Sequence, residues 1–448
     1  MSTSDMTDSP AVRRPPPGDV ATLTAMEGLA ALERGALSCE DWTRACLERI
    51  EQRDGQVHAW VRVDAHGALA RARAWDRHGR QRLLDGVPLG IKDTIDTADL
   101  PTELGDPEIF PGRRPDADAP VASQARALGF NVLGKNTVSR HAIMLPGPAR
   151  NPHDLTRTPA ASSAGSAAAV ADFMAPLSIG TQTAGSILRP SAFCGVVGFK
   201  PTLDAIPYVG IRRYSRPLDV IGPIARSVAD AALFMRAFTG DPRYDPQSVL
   251  RDDFRVGVWR SKHWADTESC MREVFDGHLQ SLSRAGVQVT ELSMPPGFEA
   301  MGEAQDVIMA YDLAREYAML KRDHAALCDP GLIEYLTMGE GISASEYAAA
   351  LDAADACRRA FHDVARDVDA LAMPSTLGEA PPASGTGSSA FIRIWSLLHN
   401  PSITLPAARG PNGLPLGFQL VGFVKEDPRL LYWARCVERI LGSTAHRA

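Results

Sequence analysis

Six lysines stand against forty-one arginines in this 448-residue chain, and one of the six, Lys92, closes a short apolar run, Gly86-Val-Pro-Leu-Gly-Ile-Lys-Asp93. A chain that takes nearly all its surface cation from Arg has reason to keep a Lys in a buried strand when it needs an amine that can release its proton. Arg cannot do this. Burial supplies the means, because loss of solvent disfavours the ammonium form and lowers its pKa. Further along lie two small-residue stretches, Thr158-Pro-Ala-Ala-Ser-Ser-Ala-Gly-Ser166 and Gly180-Thr-Gln-Thr-Ala-Gly-Ser-Ile-Leu-Arg-Pro190. Serine attacks a carbonyl only when a base takes its proton, so a lysine base with a serine nucleophile is the chemistry these residues suggest. Small side chains let backbone N–H groups converge on a developing oxyanion. The candidates for that hole are the N–H groups of Thr183, Ala184, Gly185 and Ser186. Ser162 and Ser163 precede a helix expected to start near Ser166, which sets their hydroxyls at a positive helix end.

Other catalytic patterns are absent. The eleven histidines are dispersed, and no Gly-x-Ser-x-Gly elbow or Ser-x-x-Lys motif occurs. The seven cysteines are scattered, odd in number and without Cys-x-x-Cys spacing, so neither a disulfide framework nor a zinc site is expected. No metal or other cofactor is predicted, and a reducing cytoplasm is the expected compartment. A net charge of −7, with no basic block, argues against nucleic-acid binding. No stretch approaches the ~20 apolar residues that span a bilayer. Residues 1–20 are rich in Ser, Asp and Pro and lack a signal-peptide core, which reads as a disordered tail.

The elements that would position Lys92 and the serines follow from periodicity. Residues 21–73 are expected to be helical, with apolar positions every three or four residues. After Gly86, short apolar runs alternate with helical segments. Strands are predicted at 87–91, 131–133, 177–179 and 196–199, with helices at 119–128 and 166–174. A βαβ candidate follows at 254–291, then a helical, Ala-rich region at 300–367 and returning strands at 370–374 and 417–422. Asp427 and Pro428 suit the start of a last helix. This alternation predicts an α/β fold with mostly parallel strands, in one large domain over 21–445.

The passage Thr158 to Thr202 resembles the signature region of the amidase signature family of serine hydrolases. That pattern runs Gly-Gly-Ser-Ser-Gly-Gly-Ser, then Gly-Thr-Asp-Thr-Gly-Gly-Ser-Ile-Arg, and Pro190-Ser-Ala-Phe-Cys-Gly-Val-Val-Gly-Phe-Lys-Pro-Thr202 continues it. Gly86–Asp93 is similar to the segment carrying the family's lysine, Leu218–Asp230 to its next stretch, and Gly413–Gly422 to its C-terminal strand. The resemblance implies a mixed sheet wrapped by helices. It also implies Ser186 as the acylated nucleophile, Ser162 as a bridging serine after a cis peptide bond, and Lys92 as the base. The substrate would be a small-molecule amide; a homodimer is left open.

The chain departs from the pattern at several points. Ala160, Ala161, Ala164 and Ala184 stand for glycines, Gln182 for Asp, Leu188-Arg189 inverts the usual order, and Arg140-His141 stands where relatives carry Glu-Phe. His141 and His153 flank the Met144-Leu-Pro-Gly-Pro148 loop and could touch substrate, against a surface reading. Trp395 belongs to a region that often lines the family's acyl channel, against ordinary core burial. Cys194 sits between Phe193 and Gly195, where packing is expected. A stand-alone amidase is the leading reading. The amidase subunit of a glutamine-dependent tRNA amidotransferase is the second, which the Gln182 pattern counts against. A non-hydrolytic binding or scaffold protein is the third.

Overall fold

The computed structural model describes residues 18–445, apart from Met144 and Asp252. The expected tail therefore lies largely outside the described residues. Eleven strands form one sheet: β1 (Trp60–Val63), β2 (Pro88–Lys92), β3 (Asn131–Asn136), β4 (Leu177–Gln182), β5 (Val197–Lys200), β6 (Val220–Ala225), β7 (Arg255–Val258), β8 (Gln288–Glu291), β9 (Ala370–Pro374), β10 (Ser402–Arg409) and β11 (Pro415–Val421). Their order is β1-β3-β2-β4-β6-β5-β10-β11-β9-β7-β8. Helices cover the sheet, and the resulting fold is a single α/β domain.

The expectation of mostly parallel strands is corrected. Only the β2–β3, β2–β4, β7–β8 and β7–β9 pairs are parallel; the other six are antiparallel. Parallel neighbours need a long crossover, whereas antiparallel ones accept a short return. Here β10 and β11 are joined by a tight turn in which Gly413 takes φ 75°, and β6 runs back between β4 and β5. Neither β6 nor β10 is legible from pattern, because Pro223 and Pro406 interrupt them and Pro in a strand argues against the assignment. The helical expectation for 21–73 also breaks at β1, an edge strand between the helices Cys39–Val57 and Ala65–His78. The last helix begins at Asp427, whose carboxylate accepts from the Thr202 N–H at 2.7 Å and the Thr202 hydroxyl at 2.5 Å.

What brings the candidate residues together is the meeting of β2, β3 and β4 with the helix Ala164–Ala171. That helix starts two residues earlier than periodicity suggested, and its Ala, Gly and Ser side chains let it lie close to the sheet. The Gly165 N–H donates to the Thr137 carbonyl at 3.1 Å. A Cβ on Gly165 would sit 2.5 Å from the Thr137 carbonyl oxygen and 2.6 Å from that of Ala59. At the other end, Asp172 is buried between Arg49 and Arg53, with Arg53 Nε 2.9 Å from its carboxylate. Backbone, unlike a flexible side-chain tip, cannot yield to a methyl group. Gly165→Ala is therefore expected to destabilise the fold by about 1–3 kcal/mol, read as a lower urea midpoint. An unchanged midpoint would mean that the helix does not approach β3 this closely.

Candidate active site

Lys92 ends β2, fully buried, with its amine pointing at the turn before the helix Ala164–Ala171. Its Nζ lies 2.6 Å from Ser162 Oγ, 2.7 Å from Thr181 Oγ1 and 3.4 Å from the Thr181 carbonyl. Its three neighbours are thus neutral oxygens, with no carboxylate among them. Burial pushes the Lys92 amine down to about 7, opposed by the more distant Asp219 carboxylate. This is an amine that can shed its proton near neutrality.

The turn holding Ser162 differs from the expected one. The peptide bond between Ala161 and Ser162 is trans, since no cis bond occurs among the described residues. The chain instead reverses through two left-handed residues, Ala160 at φ 77° and Ser162 at φ 60°. A Cβ makes that region unfavourable, so surrounding contacts must hold it. They are present: the Ser162 N–H donates to Ser139 Oγ at 3.0 Å, and the Ala160 N–H to Thr158 Oγ1 at 3.1 Å. Ser163 does not cap its helix; its hydroxyl donates to the Thr181 carbonyl at 3.1 Å and ties the turn to β4.

Ser186 lies in the loop after β4 and opens, with Ser162, onto a cavity of about 300 Å³. Gln182 organises this loop. Its side-chain oxygen accepts from the Ile187 and Leu188 N–H groups at 2.9 and 3.0 Å, and its nitrogen donates to Ser396 Oγ at 3.0 Å. Ser396 Oγ in turn donates to the Ala184 carbonyl at 3.1 Å, and Gln305 Nε2 donates to the Thr183 carbonyl at 3.3 Å. With those carbonyls held outward, the N–H groups of Ala184, Gly185 and Ser186 take no partner among the described residues. All three residues line the cavity, as does Thr183.

Sequence reasoning passed over Asp219, although a lone carboxylate between Leu218 and Val220 was a visible signal. Buried, it accepts from Thr183 Oγ1 at 2.6 Å and from the Tyr214 and Ser215 N–H groups at 2.9 and 3.1 Å. Burial pushes its carboxyl up to about 7 against those hydrogen bonds. It joins the Ser186 loop to the wall carrying Tyr214 and is the charge that acts on Lys92.

The expected substrate contacts fare differently. His141 is buried, with Nδ1 2.8 Å from Asp106, Nε2 accepting from the Asp329 N–H at 3.1 Å, and its carbonyl accepting from the Tyr317 hydroxyl at 3.0 Å. It braces the cavity's surroundings without lining it, and its neighbour Ile143 takes the place in the wall. Trp395 is core: its indole N–H points at Met373 Sδ, 3.1 Å away, and its ring packs edge-on against Trp259 and Phe361. Met144 lies outside the described residues. Cys194 is buried as expected, which pushes its thiol up and leaves it a packing residue. No helix is long and apolar enough to cross a membrane among the described residues.

Residues 41–431 match the family described as Amidase. The chain belongs to the amidase family. It is 32% identical to a glutamyl-tRNA(Gln) amidotransferase subunit from Anaeromyxobacter sp. (strain K), over 95% of this chain and 98% of that one. It is 33% identical to the corresponding protein of Acidothermus cellulolyticus, over 92% and 93%. Among solved structures, a crystal structure of an amidase superposes with a TM-score of 0.86 at 28% identity, covering 94% of this chain and all of that one. The peptide amidase of Stenotrophomonas maltophilia gives 0.81 at 27% identity, covering 94% and 97%. The chain is therefore a member of a hydrolase family with an amidase-signature mechanism.

We read Lys92 as a base that must be neutral to act, and this predicts a pH dependence. Amide hydrolysis should fall as pH drops through about 7, where Lys92 takes up its proton, and level off above it. Removing the Asp219 charge removes an influence that raises the lysine's pKa, so Asp219→Asn should move the acidic limb of kcat/KM to lower pH. A limb that stays in place would show that Asp219 does not act on the titrating group. Lys92→Arg should lose at least about a hundredfold in kcat/KM, close to the loss in Lys92→Ala, because Arg cannot accept a proton.

Proposed function

We propose that this chain cleaves a carboxamide C–N bond through an acyl-enzyme at Ser186, with Lys92 as base and Ser162 as proton bridge. One observation carries the reading: a buried amine with neutral neighbours stands 2.6 Å from a hydroxyl that shares a cavity with a second serine. The neutral Lys92 Nζ takes the Ser162 proton as Ser162 Oγ takes that of Ser186. Ser186 Oγ bonds to the carbonyl carbon, and the oxyanion that forms accepts hydrogen bonds from the open N–H groups of the 183–186 loop. The proton then returns from Lys92 through Ser162 to the amide nitrogen as the C–N bond breaks, releasing ammonia or an amine. Water, deprotonated along the same path, attacks the Ser186 ester and frees the acid. The trans bond at Ala161 does not prevent the bridge, because Ser162 in its left-handed conformation reaches Lys92 directly.

Two physiological settings suit this chemistry. The amidase subunit of a glutamine-dependent tRNA amidotransferase is favoured by the relatives that bear that name along nearly their whole length. Gln182 carries no weight against it, since its side chain holds the loop through Ile187, Leu188 and Ser396 and touches nothing specific to one amide. A stand-alone amidase acting on a small molecule is supported by the likeness to structures of that kind. Ammonia release from glutamine, measured with and without amidotransferase partner proteins, separates the two: activity that rises on assembly supports the first, and equal activity on simple amides alone the second.

Ser186→Ala deletes one hydroxyl and the nucleophile with it. It is expected to lose at least about a thousandfold (~4 kcal/mol) in kcat/KM while keeping the wild-type melting temperature within a few degrees. It should also fail to form the covalent adduct that an active-site serine probe makes with the wild type. More than a tenth of wild-type activity in this variant would remove Ser186 from its role.

A further inference from the structure

The cavity holds a charge that the acylation chemistry leaves unused. Arg189, three residues after Ser186, lines the same cavity and is only 8% exposed. Its guanidinium forms an ion pair with no carboxylate among the described residues; Nη1 donates to the Gly387 carbonyl at 2.6 Å, and the buried Nε has no partner. The charged group that acts on it is another cation, Arg393. Arg393 is itself compensated, pairing with Asp306 and donating from Nε to Gln305 at 2.9 Å. The rim therefore carries two guanidiniums against one carboxylate, an excess of one positive charge. Ile143, Met309 and Leu313 give the same cavity apolar lining.

A buried guanidinium with no counter-ion is costly unless something supplies one. Arg presents a planar fork of donors that matches a carboxylate in two parallel hydrogen bonds. Its place in the chain matters as much as its charge. The Arg189 N–H donates to the Gly185 carbonyl at 2.9 Å, so the guanidinium springs from the same turn that carries the nucleophile. A cavity of about 300 Å³ gives room for a short carbon chain between the two groups.

We propose that Arg189 is a specificity residue that binds a carboxylate on the substrate, so that the preferred substrates are short amides bearing a free carboxylate at the end away from the scissile bond. This rests on the reading of Ser186 as nucleophile, and it holds for a small ω-amido acid or for glutamine, both of which carry that carboxylate.

The test compares succinamic acid with its neutral counterpart succinamide, at a pH where the acid is ionised. For the wild type, kcat/KM for succinamate should exceed that for succinamide at least tenfold, with the difference mainly in KM. In Arg189→Gln the ratio of the two should collapse towards one; in Arg189→Lys, which keeps charge but loses the fork, it should be intermediate. A wild-type measurement covers the case in which the variants misfold: succinate should compete with succinamate and protect Ser186 from a serine-directed probe, and succinamide at equal concentration should protect it less. A wild type that prefers the neutral amide, or variants that leave the ratio unchanged, would overturn the proposal while the Ser186 mechanism stands. Loss of probe labelling at Ser186 in the wild type would instead strike the mechanism itself.

Discussion

The burial of one amine is the constraint to which the rest of the site answers. An ammonium at the end of β2 with neutral oxygens around it is unfavourable, so the stable form near neutrality is close to balance between charged and uncharged. That balance is what suits the amine to the role of base proposed for it. It holds only while the amine stays dry and no carboxylate approaches within ion-pairing distance. Two other lysines show the contrast. Lys135 is buried against Asp93 at 3.3 Å, and its charge is taken up by that partner. Lys200 is buried with its Nζ on the Pro201 carbonyl at 2.9 Å, and it donates to no hydroxyl among the described residues. Burial is common to all three; Lys92 differs in having Ser162 Oγ at 2.6 Å, which is why we read it as the base.

Keeping that arrangement dry and rigid accounts for the composition of the neighbouring helix. Ala164 to Ala171 carries little hydrophobic bulk, so its stability comes from how closely it approaches the sheet. Gly165 permits the approach, and Arg49 and Arg53 fix the far end through Asp172. The two left-handed residues before the helix are the counterpart of this close packing, because the chain must turn sharply to present Ser162 to Lys92 while Ser163 reaches back to β4. Alanines can stand at positions 160 and 161 because hydrogen bonds from Thr158 and Ser139 hold the turn.

The loop bearing Ser186 is held by a different principle. Its carbonyls and later N–H groups are occupied by side chains: Gln182 at the end of β4, and Ser396 and Gln305 from distant helices. Asp219 grips Thr183 from the side. What is left without a partner among the described residues is a short run of N–H groups in residues that line the cavity. The same segment continues into Arg189, so Ser186, the N–H groups and the guanidinium belong to one piece of chain. A substitution in the covering helices can thus alter the site without touching it.

The chemical inventory was legible in the chain alone: a lysine out of place among arginines, two serine-bearing small-residue turns, and strands and helices whose apolar periods are local properties. Those signals survive without contacts, because burial preference and turn chemistry act over a few residues. The remainder came from packing. The direction of β6 and β10 depended on which neighbours were free to pair, and prolines masked both strands. The bond before Ser162 was settled as trans by how the helix and Ser139 hold the turn, which no motif records. Trp395 and His141 went to the core and to a hydrogen-bonded brace because partners from elsewhere in the chain, Met373, Asp106 and Asp329, hold them there. Asp219 and Arg189 became significant through what surrounds them: for one, a loop hydroxyl and two N–H groups, and for the other, the lack of a carboxylate partner among the described residues. Hydrogen bonding and charge compensation between distant segments are properties of the packed chain, and they leave no trace in a local pattern of residues.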